Sequence, residues 1–278
     1  MKFGVHIRTA NGLVKALNRA ELLGCETVQL FSGNPNSWIT RPLDPAEAKA
    51  FRDRCSSLAI SPIVLHTPYL INLASPDSDI WQKSIDALCY AVEKAALLEA
   101  ESIVTHIGSH KGAGLDYGIS RIAEAVHRAL DCSNKENIVL ELGAGAGRSI
   151  GSNFAEMAMI FESVGSESRV GICIDAAHLY GAGYDISSEC GVMSMFDEMH
   201  KYVGCDKLRV VHLNDTVQEL ASLKDRHFHI GKGNVGLEGF KALVNHPCAV
   251  SCPGIIETPG DDIAFDVENL DALRKLRK

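Results

Sequence analysis

Short apolar runs rich in β-branched residues alternate along this chain with longer stretches of helical periodicity. The pattern predicts strands over Phe3 to Ile7, Thr27 to Phe31, Ile63 to His66, Ser102 to His106, Ile138 to Glu141, Val170 to Asp175, Leu208 to Leu213 and Gly254 to Glu257. It predicts helices over Gly12 to Leu23, Pro45 to Leu58, Asp79 to Leu98, Ile119 to Leu130, Phe154 to Val164 and Val192 to Tyr202, and a last one over Phe265 to Leu276. Runs such as IVL, SIVT, NIVL and VGICI are apolar at successive positions. Strands covered on both faces look like this, and parallel sheets wrapped by helices are their usual source. Repeated β-then-α units favour an α/β fold, a single (β/α)8 TIM barrel, over an open doubly wound sheet. The 278 residues suit one such domain, and no Pro/Ser-rich linker or charge block divides residues 1–278. Two connections are long, Gly108 to Gly118 and Asn214 to Gly236, and loops of that length at strand ends tend to carry function.

The ends of the strands change the picture. Six of them, from the third to the eighth, finish on a metal-ligand type: His66, His106, Glu141, Asp175, His212 and Glu257. One such residue is most often a satisfied polar group. Six in succession, at the rim of a closing barrel, converge on one mouth. The loops add three more: His178 in DAAH, and Asp225 and His227 in KDRH. Residues two apart in extended chain project the same way, so Asp225 and His227 suit a shared ion. Five histidines and four carboxylates with no cysteine suit Zn2+, with Mn2+ or Fe2+ as substitutes. Nine donors exceed one tetrahedral site, and shared carboxylates would make two or three. Clustered divalent ions suit in-line phosphoryl displacement.

Composition narrows the classes. The first residues lack the basic start and apolar run of a signal peptide, and no apolar stretch is long enough to span a membrane. The nine scattered cysteines are expected to be reduced core thiols, which points to the cytoplasm. The formal net charge of −8 argues against nucleic acid when taken alone. Metal reverses that sign locally: three divalent ions among four carboxylates leave a charge of about +2 at the mouth. Lys111, Arg148, Lys224, Arg226 and Lys232 lie in the same loops. The glycine-rich GAGAGRSIG, residues 143–151, lacks a Lys followed by Ser or Thr and reads as a tight turn after Glu141.

The segments LHTPYLINLASP, HIGSH, LELGAGAG, CIDAAHLYGAGYDI, VHLND, KDRHFHIGKGNVGLEGF and IIETPGDD together resemble the motif series of the endonuclease IV family, zinc-dependent apurinic/apyrimidinic endonucleases of base-excision repair. The resemblance runs from GVHI near the start to ETPGDD. It implies a TIM barrel with three metals. By motif, His66, His106 and Glu141 would hold the first. Glu141 would bridge to a second, held with Asp175, His212 and Glu257, and His178, Asp225 and His227 would hold the third. It also implies that Glu141 and Glu257 are catalytic, and that the partner is double-stranded DNA containing abasic sites. Cleavage would fall 5′ to the abasic sugar, leaving a 3′-hydroxyl and a 5′-deoxyribose phosphate, with clearing of blocked 3′ ends as a second activity. Tyr69 and Leu70 match residues that the family inserts into DNA, and an aromatic with an aliphatic wedge suits unstacking a base step. Asn36 and Arg226 are the further DNA-contact candidates. No membrane and no obligate protein partner is implied.

The chain departs from the family pattern in several loops. Asn36 stands where many relatives carry Arg. Leu142, Gly143 and Ala146 stand where Asn, Thr and Gln are common, Ala176 and Ala177 where DTCH is usual, and Ile107 where Pro is. None of these is a donor. Rival readings are a metal-dependent TIM-barrel sugar isomerase or epimerase, which needs only one or two metals and leaves His178, Asp225 and His227 unexplained, and a lesion binder without catalysis.

Overall fold

A computed structural model describes residues 1–278 apart from Asn11, Asn134, Ser166 and Asp261. Eight strands are parallel and hydrogen-bonded in chain order, and the last pairs with the first: β1 (Lys2–Ile7), β2 (Thr27–Phe31), β3 (Ile63–His66), β4 (Ser102–His106), β5 (Asn137–Glu141), β6 (Val170–Asp175), β7 (Leu208–His212) and β8 (Pro253–Ile256). Around them lie α1 (Leu13–Leu22), α2 (Pro45–Ser57), α3 (Ser78–Leu98), α4 (Leu115–Leu130), α5 (Phe154–Val164), α6 (Ala176–Ala182), α7 (Glu189–Tyr202), α8 (Gly236–Asn245) and α9 (Ile263–Leu276). This is the predicted (β/α)8 barrel. Among the described residues, no helix is long and apolar enough to cross a membrane.

Local chemistry sets the helix starts. Asp77 caps α3 by accepting from the backbone N–H of Asp79 and Ile80, and Asp44 caps α2 ahead of Pro45. Each satisfies a donor that the first turn leaves without a partner. Helix faces then meet the outer face of the sheet, where Phe3, Phe51, Phe154, Phe196 and Phe240 are fully buried. Truncating one such Phe to Ala costs about 3–5 kcal/mol.

The barrel interior explains why the strand ends converge. Val64, Val104, Val139, Cys173, Val210 and Ile255 form a separate, fully buried cluster. Each lies two residues before one of His66, His106, Glu141, Asp175, His212 and Glu257. Side chains alternate across a strand, so a residue two positions on shares the same face. The apolar cluster is thus one layer of the barrel plug, and the polar residues form the layer above it, at the mouth.

Three expectations are corrected. Two helices were not predicted: α6 has only seven residues, too few for a periodic pattern, and α8 is broken up by Gly236 and Gly239. Strand β8 ends at Ile256, so Glu257 is the first residue beyond it. The cysteines are not all reduced: Cys205 and Cys248 form a disulfide, and seven remain free thiols. The 3-10 turn Cys205–Lys207 before β7 and the turn after α8 bring the two Cα atoms to 5.3 Å. A separation of 43 residues hides that proximity from any spacing rule.

Candidate metal centre

The nine donors meet at the mouth of the barrel. Three groups have ligand atoms within 4.8 Å of one another: His66, His106 and Glu141; Glu141, Asp175 and His212; and Asp175, His178 and His227. Asp225 completes the third, with its oxygens 3.2 Å from His178 Nε2 and 3.3 Å from His227 Nε2. Glu257 joins the second, 3.4 Å from His212 Nδ1. Adjacent groups share a carboxylate: Glu141 joins the first to the second, and Asp175 joins the second to the third. The sequence reading had not placed Asp175 in the third group.

The donors fit metal rather than a hydrogen-bond network. His66 Nδ1 donates to Thr67 O at 2.7 Å, His178 Nδ1 to Leu142 O at 2.9 Å and His227 Nδ1 to Glu257 O at 3.2 Å. His212 Nε2 donates to Gln29 Oε1 at 2.9 Å. A carbonyl oxygen only accepts, so each ring is left to offer its other nitrogen as a lone pair, which is how metal-bound histidines are held. Those nitrogens face the cluster. His178 Nε2 and His227 Nε2 are buried without a hydrogen-bond partner, near Asp225 but not aligned to bond it. Donor separations of 3.1–3.8 Å run through the cluster. Two donors each about 2.0–2.2 Å from a tetrahedral Zn2+ stand roughly 3.3–3.6 Å apart.

Charge points the same way. Burial alone would raise the Glu141 carboxyl, but the neighbouring His106, His212 and His66 rings hold it well below the usual carboxylate range. Glu257 and Asp225 are likewise held low against burial, by His212 and His6 at Glu257 and by His178 and His227 at Asp225. Burial would lower the rings, yet Asp175 and Asp225 carry His178 well above its ordinary value and His227 to about 9. Carboxylates that favour a proton on these rings also favour a cation in its place.

Three residues that sequence reasoning missed hold this layer. On β1 and β2 the inward positions at this level are His6 and Gln29, which are paired in the sheet register. Gln29 Nε2 donates to Glu257 Oε1 at 2.7 Å while its Oε1 orients His212, and His6 Nδ1 stands 2.9 Å from the same Glu257 oxygen. Asn214 donates to Asp175 Oδ2 at 2.6 Å and accepts from Glu257 N at 2.7 Å. Alternation applied to FGVHI and TVQLF would have found the first two. Gln29→Leu is expected to lower metal affinity or activity roughly 10–100-fold with the barrel intact, measured by metal titration. Unchanged affinity would show that Gln29 does not orient His212.

The departures at Leu142, Ala176 and Ala177 find an explanation. Asp175 caps α6 through Oδ1, accepting from Ala177 N at 2.7 Å and His178 N at 3.1 Å, which leaves Oδ2 for the cluster. Backbone N–H groups make these bonds, so Ala176 and Ala177 serve as well as Thr and Cys. His178 is oriented by the carbonyl of Leu142, again independent of side chain. The GAGAG loop is the tight turn expected, with φ of 85° at Gly145 and 63° at Gly147.

A cavity of about 680 Å³ opens above the cluster, and Tyr69 and Arg226 line its rim. Tyr69 is 58% exposed, and its ring meets Phe31 edge-on at 5.1 Å. Leu70 and Asn36 lie outside the lining, at the surface. Tyr69 N donates to Pro35 O at 3.0 Å, which ties their two loops together.

Fold and side chains together define a class: a TIM barrel with clusters of metal-ligand residues at its mouth. Residues 17–277 match the family described as xylose isomerase-like TIM barrel. A protein named "Probable endonuclease 4" from Halothermothrix orenii is 40% identical over 279 residues, covering 99% of this chain and 100% of that protein. Endonuclease IV from Thermus thermophilus superposes with a TM-score of 0.88 at 32% identity, over 99% of this chain and 98% of that one. A D-tagatose 3-epimerase-like protein shares the fold at a TM-score of 0.72 and 19% identity, over 99% of this chain and 97% of that one. The chain belongs to the endonuclease IV family.

Proposed function

We propose that this protein is a metal-dependent DNA-repair endonuclease that hydrolyses the phosphodiester bond 5′ to an abasic site in duplex DNA. Water adds to phosphorus and the P–O3′ bond breaks, leaving a 3′-hydroxyl and a 5′-deoxyribose phosphate. Blocked 3′ ends present the same bond and are a second substrate. The carrying observation is the run of three donor groups joined by Glu141 and Asp175 beneath an open cavity. An isomerase or epimerase has no use for the third group, and the likeness to such enzymes is one of fold alone.

Zn2+ is the ion the donor set suits best, one per group. His66 and His106 serve the first with Glu141, His212 and Glu257 serve the second with Glu141 and Asp175, and His178, Asp225 and His227 serve the third beside Asp175. Bound there, the ions supply Lewis acidity toward the phosphoryl oxygens and the attacking water. Glu257 stays ionised because His212 and then His6 hold its carboxyl low, and it is fixed in place by His6 and Gln29 at Oε1 while Oε2 faces His212 and the cluster. Its role is that of donor and acceptor, not acid. Tyr69, beside Leu70, fills the gap left by the unstacked abasic nucleotide, and Arg226 neutralises phosphate at the rim.

A duplex carrying one tetrahydrofuran abasic analogue tests this. The zinc-loaded protein should nick it 5′ to the lesion, and an intact duplex would refute the proposal. Tyr69→Ala should weaken binding to the lesion duplex by about 1–3 kcal/mol, the worth of one stacking aromatic. Equal affinity would remove Tyr69 from the interface.

A further inference from the structure

Beyond the donors, one buried carboxylate has no place in the metal groups. Asp215 follows β7 and is fully buried. Five backbone N–H groups donate to it. Oδ1 accepts from Thr216 at 2.8 Å and Val235 at 3.0 Å. Oδ2 accepts from Gly231 at 2.9 Å, Gly233 at 3.0 Å and Gly236 at 3.4 Å. The chain leaves this carboxylate at Thr216 and returns to it at Gly231. The intervening segment carries Asp225 and His227.

The backbone of Asp215 closes the same loop, because Phe228 N donates to Asp215 O at 2.6 Å. Packing at the clasp is tight: a Cβ on Gly233 would stand 2.4 Å from Asp215 Oδ1. The far side of the segment rests on the end of α6, where Ala221 N and Leu223 N donate to Tyr180 O and Gly181 O. Both residues take a left-handed backbone, with φ of 58° and 56°. Non-glycine residues hold that conformation only where their surroundings impose it. The loop is therefore held in one shape at both its base and its tip.

We infer that Asp215 is a positioning residue for the third metal group: its carboxylate clasps the base of the 216–236 loop so that Asp225 and His227 meet His178 and Asp175. This rests on the reading that the third group holds an ion. A carboxylate can take five N–H groups because it only accepts. Asn at this position turns an amide NH2 toward some of them and opposes the closure. His66, His106, Glu141 and His212 sit on strands and do not depend on the clasp.

The test is metal content by mass spectrometry, with zinc titration, on whole wild-type, Asp215→Asn, Gly233→Ala and Asp225→Ala proteins. Wild type should hold three ions. Asp215→Asn should keep two at wild-type affinity and bind the third 10–100-fold more weakly. Its nicking rate should recover when zinc is raised, whereas that of Asp225→Ala, which lacks the donor itself, should not. Gly233→Ala pushes on the clasp from the other side and should weaken the same ion, and it decides the matter if Asp215→Asn fails to fold. Wild type with two ions or fewer overturns the three-group reading and this inference with it. Wild type with three, and folded variants that keep all three at equal affinity or lose all three together, overturns the inference alone.

Discussion

Glu141→Gln should lower nicking of an abasic duplex by on the order of 10³-fold while the barrel stays folded. Glu141 is the donor common to the first two groups: its oxygens lie near His66, His106, His178 and His212. An amide keeps the volume but loses the charge and one acceptor oxygen, so two groups are damaged by one change. Several kcal/mol of transition-state stabilisation depend on ions in those groups, and each 1.36 kcal/mol is a factor of ten in rate. Glu141 also sits above Val139 in the barrel plug, which the variant leaves untouched. Single-turnover nicking, metal content and a thermal melt should give lost rate, lost ions and a retained cooperative transition. Normal nicking would show that Glu141 bridges nothing.

Stripping the metal with a chelator should abolish activity, restored by zinc, and should reverse how stability depends on pH. Take the stripped protein first. The folded-state value of His227 is raised to about 9, and those of His178 and His212 are raised as well. A group raised on folding stabilises fully below its unfolded value of roughly 6.5, and that contribution is lost as pH climbs toward about 9. Glu141, Asp225 and Glu257 are depressed, so their contribution is present above roughly pH 4 and lost below it. His6 and His106 are lowered by burial and act in the opposite sense below roughly pH 6.5, so the stripped protein should be most stable near about pH 6.5 and lose stability from there to about pH 9. The zinc-loaded protein should gain stability over that upper interval, because the ions bind rings that have lost their protons. Thermal melts of both forms at pH 6 and pH 9 check this. Parallel trends would mean that these rings do not bind metal.

The strands and most helices were legible because burial on both faces leaves continuous apolar runs and because longer stretches of helical periodicity separate them. The donors at the ends of β3 to β7 were legible for the same reason: a charged or imidazole residue closing an apolar strand stands out. His6 and Gln29 were missed because they lie inside their strands, before Ile7 and Phe31. Alternation along each strand marks them as inward positions, and the register of the closed barrel then brings them level with Glu257. Helices α6 and α8 were missed because a short segment and a glycine-broken one carry little periodicity. The Cys205–Cys248 pair was missed because chain separation says nothing about contact.

The sequence by itself determined the barrel, nine candidate donors and their order along the chain. It did so because the alternation of strand and helix and the polar residue at a strand end are local patterns. Only the tertiary structure decided how the candidate donors divide: that Asp175 is shared with the third group, which ring nitrogen His66, His178, His212 and His227 each offer, and that Asp215 anchors the loop bearing Asp225 and His227. These depend on backbone carbonyls, amides and neighbouring strands that meet across tens or hundreds of residues, and closure of the barrel is what brings them together.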